Sequence, residues 1–157
     1  MKGPSVHASA VLVGDRAVLI RGPSGSGKSR LAFDLILSGR SGLLPRAVLV
    51  GDDRVHLDTS AGKMLVRPVR ELAGLMEIRG LGIRRCDFAA EAIVGLVVDL
   101  DATDAERLPP PEALQACING VMLPRIPVPR DFAPLALVVA ALTTAESSSS
   151  INPSDNC

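Results

Sequence analysis

The chain has 157 residues, 47% of them hydrophobic and 22% charged, a composition typical of one folded domain rather than a disordered protein. Basic and acidic residues number 17 each and only 2% of residues are aromatic, so nothing favours nucleic acid or anionic lipid as a partner. No run approaches the ~18 apolar residues of a membrane span, and we expect a cytoplasmic protein.

The first part of the chain predicts a hairpin, a helix and a buried strand. Residues 6–13 and 16–21 are β-rich runs separated by Gly14 and Asp15, a pair typical of a hairpin turn. Apolar residues then recur at helical spacing, and Gly39 is well placed to end that helix. Residues 47–50 form a continuous apolar run, which predicts a buried strand.

The second part of the chain predicts further strands, a closing helix and a tail. Strands are expected at 54–57, 64–67 and 93–100, with a turn-rich segment at 58–62 and no regular structure at 101–111, which contains three consecutive prolines. A helix is expected over about 131–145. Its predicted buried face comprises Phe132, Leu135, Leu137, Val138 and Leu142. The domain is expected to span 1–146, followed by a disordered Ser-rich tail at 147–157.

Residues 22–29, here named the 22–29 loop, match the pattern G-x-x-x-x-G-K-S. The members are Gly22, Pro23, Ser24, Gly25, Ser26, Gly27, Lys28 and Ser29. The loop lies between a predicted strand and a predicted helix, where backbone N–H groups and the helix N-terminus can bind phosphate. Lys28 can reach the outer phosphates of ATP, and the Ser29 hydroxyl can ligate Mg²⁺. The fold class is therefore predicted as α/β, a P-loop-containing mixed β-sheet domain with flanking helices. The loop alone does not distinguish a kinase from an NTPase or a nucleotide switch.

Two acids and a histidine are candidates for the chemistry. Asp52 and Asp53 follow the 47–50 strand, where a P-loop sheet places carboxylates that hold Mg²⁺ or orient an acceptor. The alternative is a solvated turn, since Gly51-Asp52-Asp53 is also good turn chemistry. His7 lies in the strand expected to pair with the one that feeds the loop, and spacing alone favours a structural role for it.

Residues 71–83, with the sequence ELAGLMEIRGLGI, form a longer motif. This run resembles the signature of the bacterial HPr serine kinase/phosphorylase family, in its catalytic C-terminal domain. The resemblance extends from His7 to about residues 127–130, and the early position of His7 is similar to the short α-proteobacterial members. It implies an ATP-dependent kinase that phosphorylates a serine of the phosphocarrier protein HPr. It also implies a phosphorylase activity in many members and a homo-oligomer, usually a hexamer.

The resemblance implies roles for the catalytic candidates. His7 matches the family's active-site histidine, against the structural role that spacing favours. Either Asp53 or Asp52 matches the acid that accepts the proton of the substrate serine and returns it in the reverse reaction. Arg107 is similar to a family arginine near the active site.

The resemblance also implies a nucleotide and metal site. Lys28 matches the phosphate-binding lysine, and Ser29 and Glu77 match ligands of Mg²⁺. One departure concerns the C-terminal segment, where members usually have a glycine between the last proline and the arginine. Here Pro129 and Arg130 are adjacent, which weakens the case for phosphorylase activity.

Two other functions stay open at this point. One is a small-molecule kinase that acts on a free hydroxyl without a protein acceptor. The other is a nucleotide-sensing module that binds tightly, turns over little and is recognised by a partner.

Overall fold

The computed structural model describes residues 4–147. Its strands are β1 Ser5–Val13, β2 Arg16–Arg21, β3 Ala47–Gly51, β4 Arg54–Ser60, β5 Lys63–Pro68, β6 Leu75–Ile78, β7 Gly82–Arg85, β8 Ala92–Asp99, β9 Gln115–Ile118 and β10 Val121–Pro127. Its helices are α1 Lys28–Arg40 and α2 Pro134–Thr143, with short 3₁₀ turns at Arg70–Leu72 and Pro111–Leu114. The predicted mixed α/β fold is confirmed. The tail predicted at 147–157 lies outside the described residues, apart from Ser147.

Within the eight-stranded main sheet, strands β2, β3, β8 and β10 run in the same direction. Strands β2 and β3 are both antiparallel to β1, while β8 is parallel to β2 and β10 is parallel to β8. The order β3-β1-β2-β8-β10 therefore brings the carboxyl ends of β3, β2, β8 and β10 to one edge. In open α/β sheets, ligand sites lie outside this edge.

The sheet also curls back on itself and separates two hydrophobic cores. Ser5–His7 of β1 pair with β4, β4 pairs with β5, β5 with β8, and β8 with β2, which pairs with β1. Alternate residues of β2 face opposite ways: Ile20 packs with Leu35 of α1, whereas Leu19 packs with Val50 and Met64. Because the sheet is buried between two cores, it rigidly supports the edge formed by the carboxyl ends of β3, β2, β8 and β10.

The predicted hairpin at 6–13 and 16–21 and the strands at 47–50 and 93–100 are confirmed, with small differences at their ends. The turn predicted at 58–62 is wrong in length, because β4 continues to Ser60 and only Ala61 and Gly62 turn, both with positive φ (51° and 76°). The predicted closing helix is confirmed only for Pro134–Thr143. It begins late because Asp131 has a φ of 66°, which no α-helical residue adopts.

The predicted buried face of that helix is only partly correct. Val138 is fully buried, and Leu135 and Leu137 pack partly against the core. Phe132, which lies before the helix, is 54% exposed, and Leu142 in the last turn is 39% exposed. Neither described helix is long and apolar enough to cross a membrane.

Gly39 does not end α1, which continues to Arg40 and is followed by Ser41 as the C-cap. A Cβ atom at Gly39 would lie 2.6 Å from the backbone nitrogen of Ala47 and 2.9 Å from its Cβ. The glycine therefore allows the helix to approach the start of β3. The left-handed residue after the helix is Gly42, with a φ of 82°.

We expect Gly39→Ala to lower the free energy of unfolding by about 1–3 kcal/mol, because backbone atoms must shift to admit the methyl group. Gly42→Asn is the matched control, since no atom lies within 4 Å of its Cβ position and asparagine tolerates positive φ. Urea denaturation of both variants measures the difference. Equal stability of Gly39→Ala and the wild type would show that the close approach carries no cost.

Candidate active site

The carboxyl edge of the sheet gathers most of the predicted site residues. The 22–29 loop follows β2, and Asp52 and Asp53 follow β3. His7 lies near the start of β1, which is at the same edge because β1 runs in the opposite direction. The order of the strands thus brings together residues that are far apart in sequence.

The 22–29 loop has a backbone that depends on its glycines. Gly25 and Gly27 have φ angles of 81° and 98°, and Gly27 is the N-cap of α1. A Cβ at Gly22 would lie 2.6 Å from the Ser26 Oγ and 3.0 Å from the Leu100 Cβ. Because α1 starts at the end of this loop, the unpaired N–H groups of its first turn are directed at the space beside the loop, a geometry that binds anions.

Lys28 is held against the loop that precedes it. The residue is 7% exposed, and its Nζ donates hydrogen bonds to the carbonyl oxygens of Gly22 (2.8 Å) and Pro23 (3.0 Å). Burial lowers the pKa of Lys28, while the nearby carboxylates of Asp53 and Asp52 oppose that shift. An ammonium group has three donors, so one remains for an anion in the loop.

Asp52 is a buried carboxylate that joins several elements. It is 4% exposed, and its Oδ1 accepts hydrogen bonds from Ser9 Oγ (2.7 Å) and Ser29 Oγ (2.8 Å). Its Oδ2 accepts from Ser29 Oγ (2.9 Å) and from the backbone N–H of Glu77 (3.3 Å). These contacts satisfy both carboxylate oxygens and fix Asp52 beside the hydroxyl that ends the 22–29 loop.

Asp53 has a different environment from its neighbour. Its φ angle is 67°, its side chain is 69% exposed, and its Oδ1 lies 3.0 Å from the Nε2 of His7, which is 40% exposed. The backbone N–H of Ala8 donates to the carbonyl oxygen of Asp53 (3.1 Å), which holds the turn against β1. The two adjacent acids therefore differ in environment: Asp52 is buried against Ser29, whereas Asp53 is accessible beside His7.

Glu77 and Arg107 are the two remaining predicted site residues, and only Glu77 contacts the residues described above. Glu77 lies in β6 with an exposed side chain, and its backbone contacts Asp52. Arg107 is exposed in the irregular segment after β8, and within residues 4–147 no hydrogen bond or ion pair joins it to His7, Asp52 or Asp53.

Magnesium fits this donor set. No group of three or more His, Cys, Asp or Glu side chains within the described part of the chain forms a complete metal site. Mg²⁺ seldom uses such a cage and is usually held by one or two carboxylates together with substrate phosphates. The Ser29 hydroxyl, 2.8 Å from Asp52, and the exposed carboxylate of Glu77, whose backbone N–H contacts Asp52, are hard oxygen donors of the kind that Mg²⁺ prefers.

An ion-pair network that the sequence did not predict supports the other side of the loop. Asp99, at the end of β8, accepts two hydrogen bonds from Arg21 (2.7 and 2.8 Å) and one from Arg125 (2.5 Å). Arg125 also binds Asp104 through two hydrogen bonds (2.7 and 3.0 Å). Burial raises the pKa of Asp99, but the hydrogen bonds from Arg21 and Arg125 outweigh it and leave the pKa below its usual value. Since Arg21 directly precedes Gly22, the network fixes the start of the loop.

Comparison with known proteins identifies related chains over most of this length. Residues 2–141 match the model of the family described as "HPr Serine kinase C-terminal domain". The HPr kinase/phosphorylase of Enterococcus faecalis is 36% identical over 137 residues, covering 80% of this chain and 42% of that protein. The HPr kinase/phosphorylase of Geobacillus thermodenitrificans is 35% identical over 136 residues, with the same coverage of 80% and 42%.

A solved structure shows the same fold. The Hpr(Ser) kinase/phosphatase from Coxiella burnetii superimposes with a TM-score of 0.69 and 25% identity, covering 88% of this chain and 93% of that one. The chain spans less than half the length of the curated relatives that it matches, 22% of the Mycoplasma mycoides protein and 42% of the Enterococcus faecalis protein. With residues 2–141 matched, the chain belongs to the HPr serine kinase C-terminal domain family.

Proposed function

We propose that this chain is an ATP-dependent protein kinase that phosphorylates a serine of the phosphocarrier HPr, and that residues 1–146 form its kinase domain. The observation that carries the proposal is the difference in environment between Asp52 and Asp53. A buried carboxylate touches the last hydroxyl of the 22–29 loop, while an exposed carboxylate beside His7 remains accessible to a macromolecular acceptor. The family relationship supports HPr as the acceptor, and the exposure of Asp53 allows an acceptor protein to reach its carboxylate.

Phosphate binding is assigned to the 22–29 loop. In this proposal it acts as a P-loop, with the backbone N–H groups and the free donor of Lys28 holding the β- and γ-phosphates of ATP. The hydroxyl proton of Ser29 is directed at Asp52, which leaves the oxygen lone pairs of Ser29 for Mg²⁺. Glu77 is the second protein ligand. When bound, Mg²⁺ neutralises charge on the transferred phosphoryl group.

Proton transfer is assigned to Asp53. Its exposed carboxylate accepts the proton of the acceptor serine as the hydroxyl oxygen attacks, and His7, 3.0 Å away, fixes the orientation of the carboxylate. Asp52 does not suit this role, because neighbouring groups already occupy both of its oxygens. In the reverse direction the protonated Asp53 returns its proton to the serine oxygen, as microscopic reversibility requires.

Glu77→Gln is expected to raise the Mg²⁺ concentration needed for half-maximal activity, because a neutral amide is a poor ligand for a hard cation. We expect a shift of roughly tenfold with little change in melting temperature, since the side chain is exposed. Glu71→Gln, at an exposed position in the 3₁₀ turn Arg70–Leu72, is the matched control. A wild-type Mg²⁺ midpoint in Glu77→Gln would remove Glu77 from the metal site.

Other parts of the proposal rest on the family relationship. We propose a cytoplasmic homo-oligomer, to be measured by light scattering with a hexamer as the expected size. The phosphorylase reaction is proposed as the weaker activity, because Pro129 and Arg130 lack the glycine found between them in most members. Arg107, exposed in the irregular segment after β8, is proposed to contact the acceptor protein.

ADP release distinguishes the proposed kinase from the two alternatives. ADP is measured with Mg²⁺ and ATP in the presence and absence of the organism's own HPr. We expect release that depends on HPr and disappears when the acceptor serine of HPr is replaced by alanine. ADP release with a free hydroxyl compound and no protein would favour a small-molecule kinase. Tight ATP binding without ADP release under any condition would favour a nucleotide sensor.

A further inference from the structure

A polar cavity of about 330 Å³ opens on the opposite side of the 22–29 loop from the acidic pair. Its lining includes Gly25 and Ser26 of the loop, Asp101 after β8, and Asp131 and Phe132 after β10. The volume lies at the lower end of the range for small-molecule sites. Because the cavity shares Gly25 and Ser26 with the loop, a ligand with phosphates in the loop can extend into it.

The order of the strands fixes the direction of that extension. Strand β2 delivers the loop, β3 with its acids lies on one side of β2, and β8 and β10 with the cavity lie on the other. In phosphoryl transfer the attacking and leaving oxygens are roughly in line on opposite sides of the phosphorus. With the acceptor at Asp53, the leaving group must point toward the cavity.

The walls of the cavity are held by hydrogen bonds between the segments that follow β8 and β10. Val128 donates its N–H to the Asp99 carbonyl (2.8 Å), and Ala102 donates to the Val128 carbonyl (2.9 Å). A turn closes with the Phe132 N–H donating to the Pro129 carbonyl (3.2 Å). The cavity is therefore present before a ligand enters.

Phe132 gives the cavity its chemical character. Phe132 is 54% exposed, which is unusual because phenylalanine is among the residues most often buried. Asp101 and Asp131 add carboxylates to the same lining, and both have positive φ angles (52° and 66°) that the surrounding structure must hold. An accessible aromatic face beside hydrogen-bond acceptors suits a flat ring attached to a hydroxylated sugar.

We propose that this cavity binds the nucleoside half of the nucleotide, with the base stacked on Phe132 and the ribose hydroxyls donating to the carboxylates of Asp101 and Asp131. The assignment rests on the proposed binding of ATP phosphates by the 22–29 loop. It adds the residues that distinguish a nucleoside triphosphate from a bare polyphosphate.

Isothermal titration with two probes, ATP and inorganic triphosphate, both with Mg²⁺, tests the assignment. In Phe132→Ala we expect the Kd for ATP to rise roughly tenfold, because one base-stacking contact is lost, and the Kd for triphosphate to stay unchanged. Phe132→Tyr retains an aromatic face and should bind ATP as the wild type does. Leu108→Ala, at an apolar position that is 82% exposed and outside the cavity lining, is the control for a general surface effect.

Each other outcome is decisive. An unchanged Kd for ATP in Phe132→Ala would overturn the assignment of the base to this cavity. Equal weakening of ATP and triphosphate would overturn it as well, because the residue would then act on the loop. If the wild type bound neither probe, the phosphate-binding function of the loop would itself be wrong, and the nucleoside assignment would fall with it.

Discussion

Lys28→Ala is expected to weaken ATP binding on the order of a hundredfold, since a charged hydrogen-bond donor to a phosphate is lost from a partly desolvated site. The Lys28 Nζ lies within hydrogen-bond distance of Gly22 and Pro23, so its charge is already positioned in the loop. Burial depresses the pKa of Lys28, and a bound phosphate would restore the pKa by adding a negative charge nearby. The measurement is isothermal titration of ATP in the presence of Mg²⁺.

Lys63→Ala is the matched control for this experiment, because Lys63 is an exposed lysine at the start of β5. A melting curve for Lys28→Ala separates lost binding from lost structure, since the substitution also removes the hydrogen bonds to Gly22 and Pro23. Wild-type ATP affinity in a folded Lys28→Ala protein would contradict the assignment of the 22–29 loop as the phosphate site.

Asp53→Asn is expected to reduce phosphate transfer by roughly 10²–10⁴-fold, the usual contribution of a general base, and to leave ATP affinity unchanged. Asparagine tolerates the positive φ angle of this position, so the backbone of the turn is retained. The side chain is 69% exposed, and its loss of charge should have little effect on stability. The two measurements are the rate of transfer to HPr and the Kd for ATP.

Asp52→Asn is the matched comparison and should act differently. An amide at this buried position places N–H donors against the Ser9 and Ser29 hydroxyls or the Glu77 N–H, so one of these contacts is lost. We expect a lower melting temperature and an altered Mg²⁺ dependence. Near wild-type transfer by both variants would show that neither carboxylate is catalytic, and the pair would then be a structural turn.

Position along the strands was enough to predict where the site lies. A loop after β2 and acids after β3 must meet when both strands point the same way, and the apolar runs that predicted these strands were clear. Because side chains alternate along a strand, two adjacent acids face opposite ways, and at most one of them can face the acceptor. Alternation alone does not show which of the two acids this is. The left-handed backbone at Asp53 depends on contacts with β1, which cannot be predicted from the local sequence.

Other features escaped prediction for identifiable physical reasons. The ion pair of Arg21 and Asp99 joins residues 78 positions apart, so it depends on the pairing of β2 with β8. All residues of β7 are exposed, and a strand without a buried face shows no hydrophobic alternation. The β9–β10 hairpin did carry a usable signal, since Asn119 and Gly120 have φ angles of 50° and 80° and form a pair typical of a two-residue hairpin turn.

The proposal of an HPr serine kinase is tested most directly by the intact mass of HPr after incubation with this chain, ATP and Mg²⁺. We predict one added phosphoryl group, located on a serine by fragmentation, and a much smaller phosphorylated fraction with Asp53→Asn after the same incubation time. HPr of unchanged mass after incubation with folded, ATP-binding wild-type protein would contradict the proposed activity.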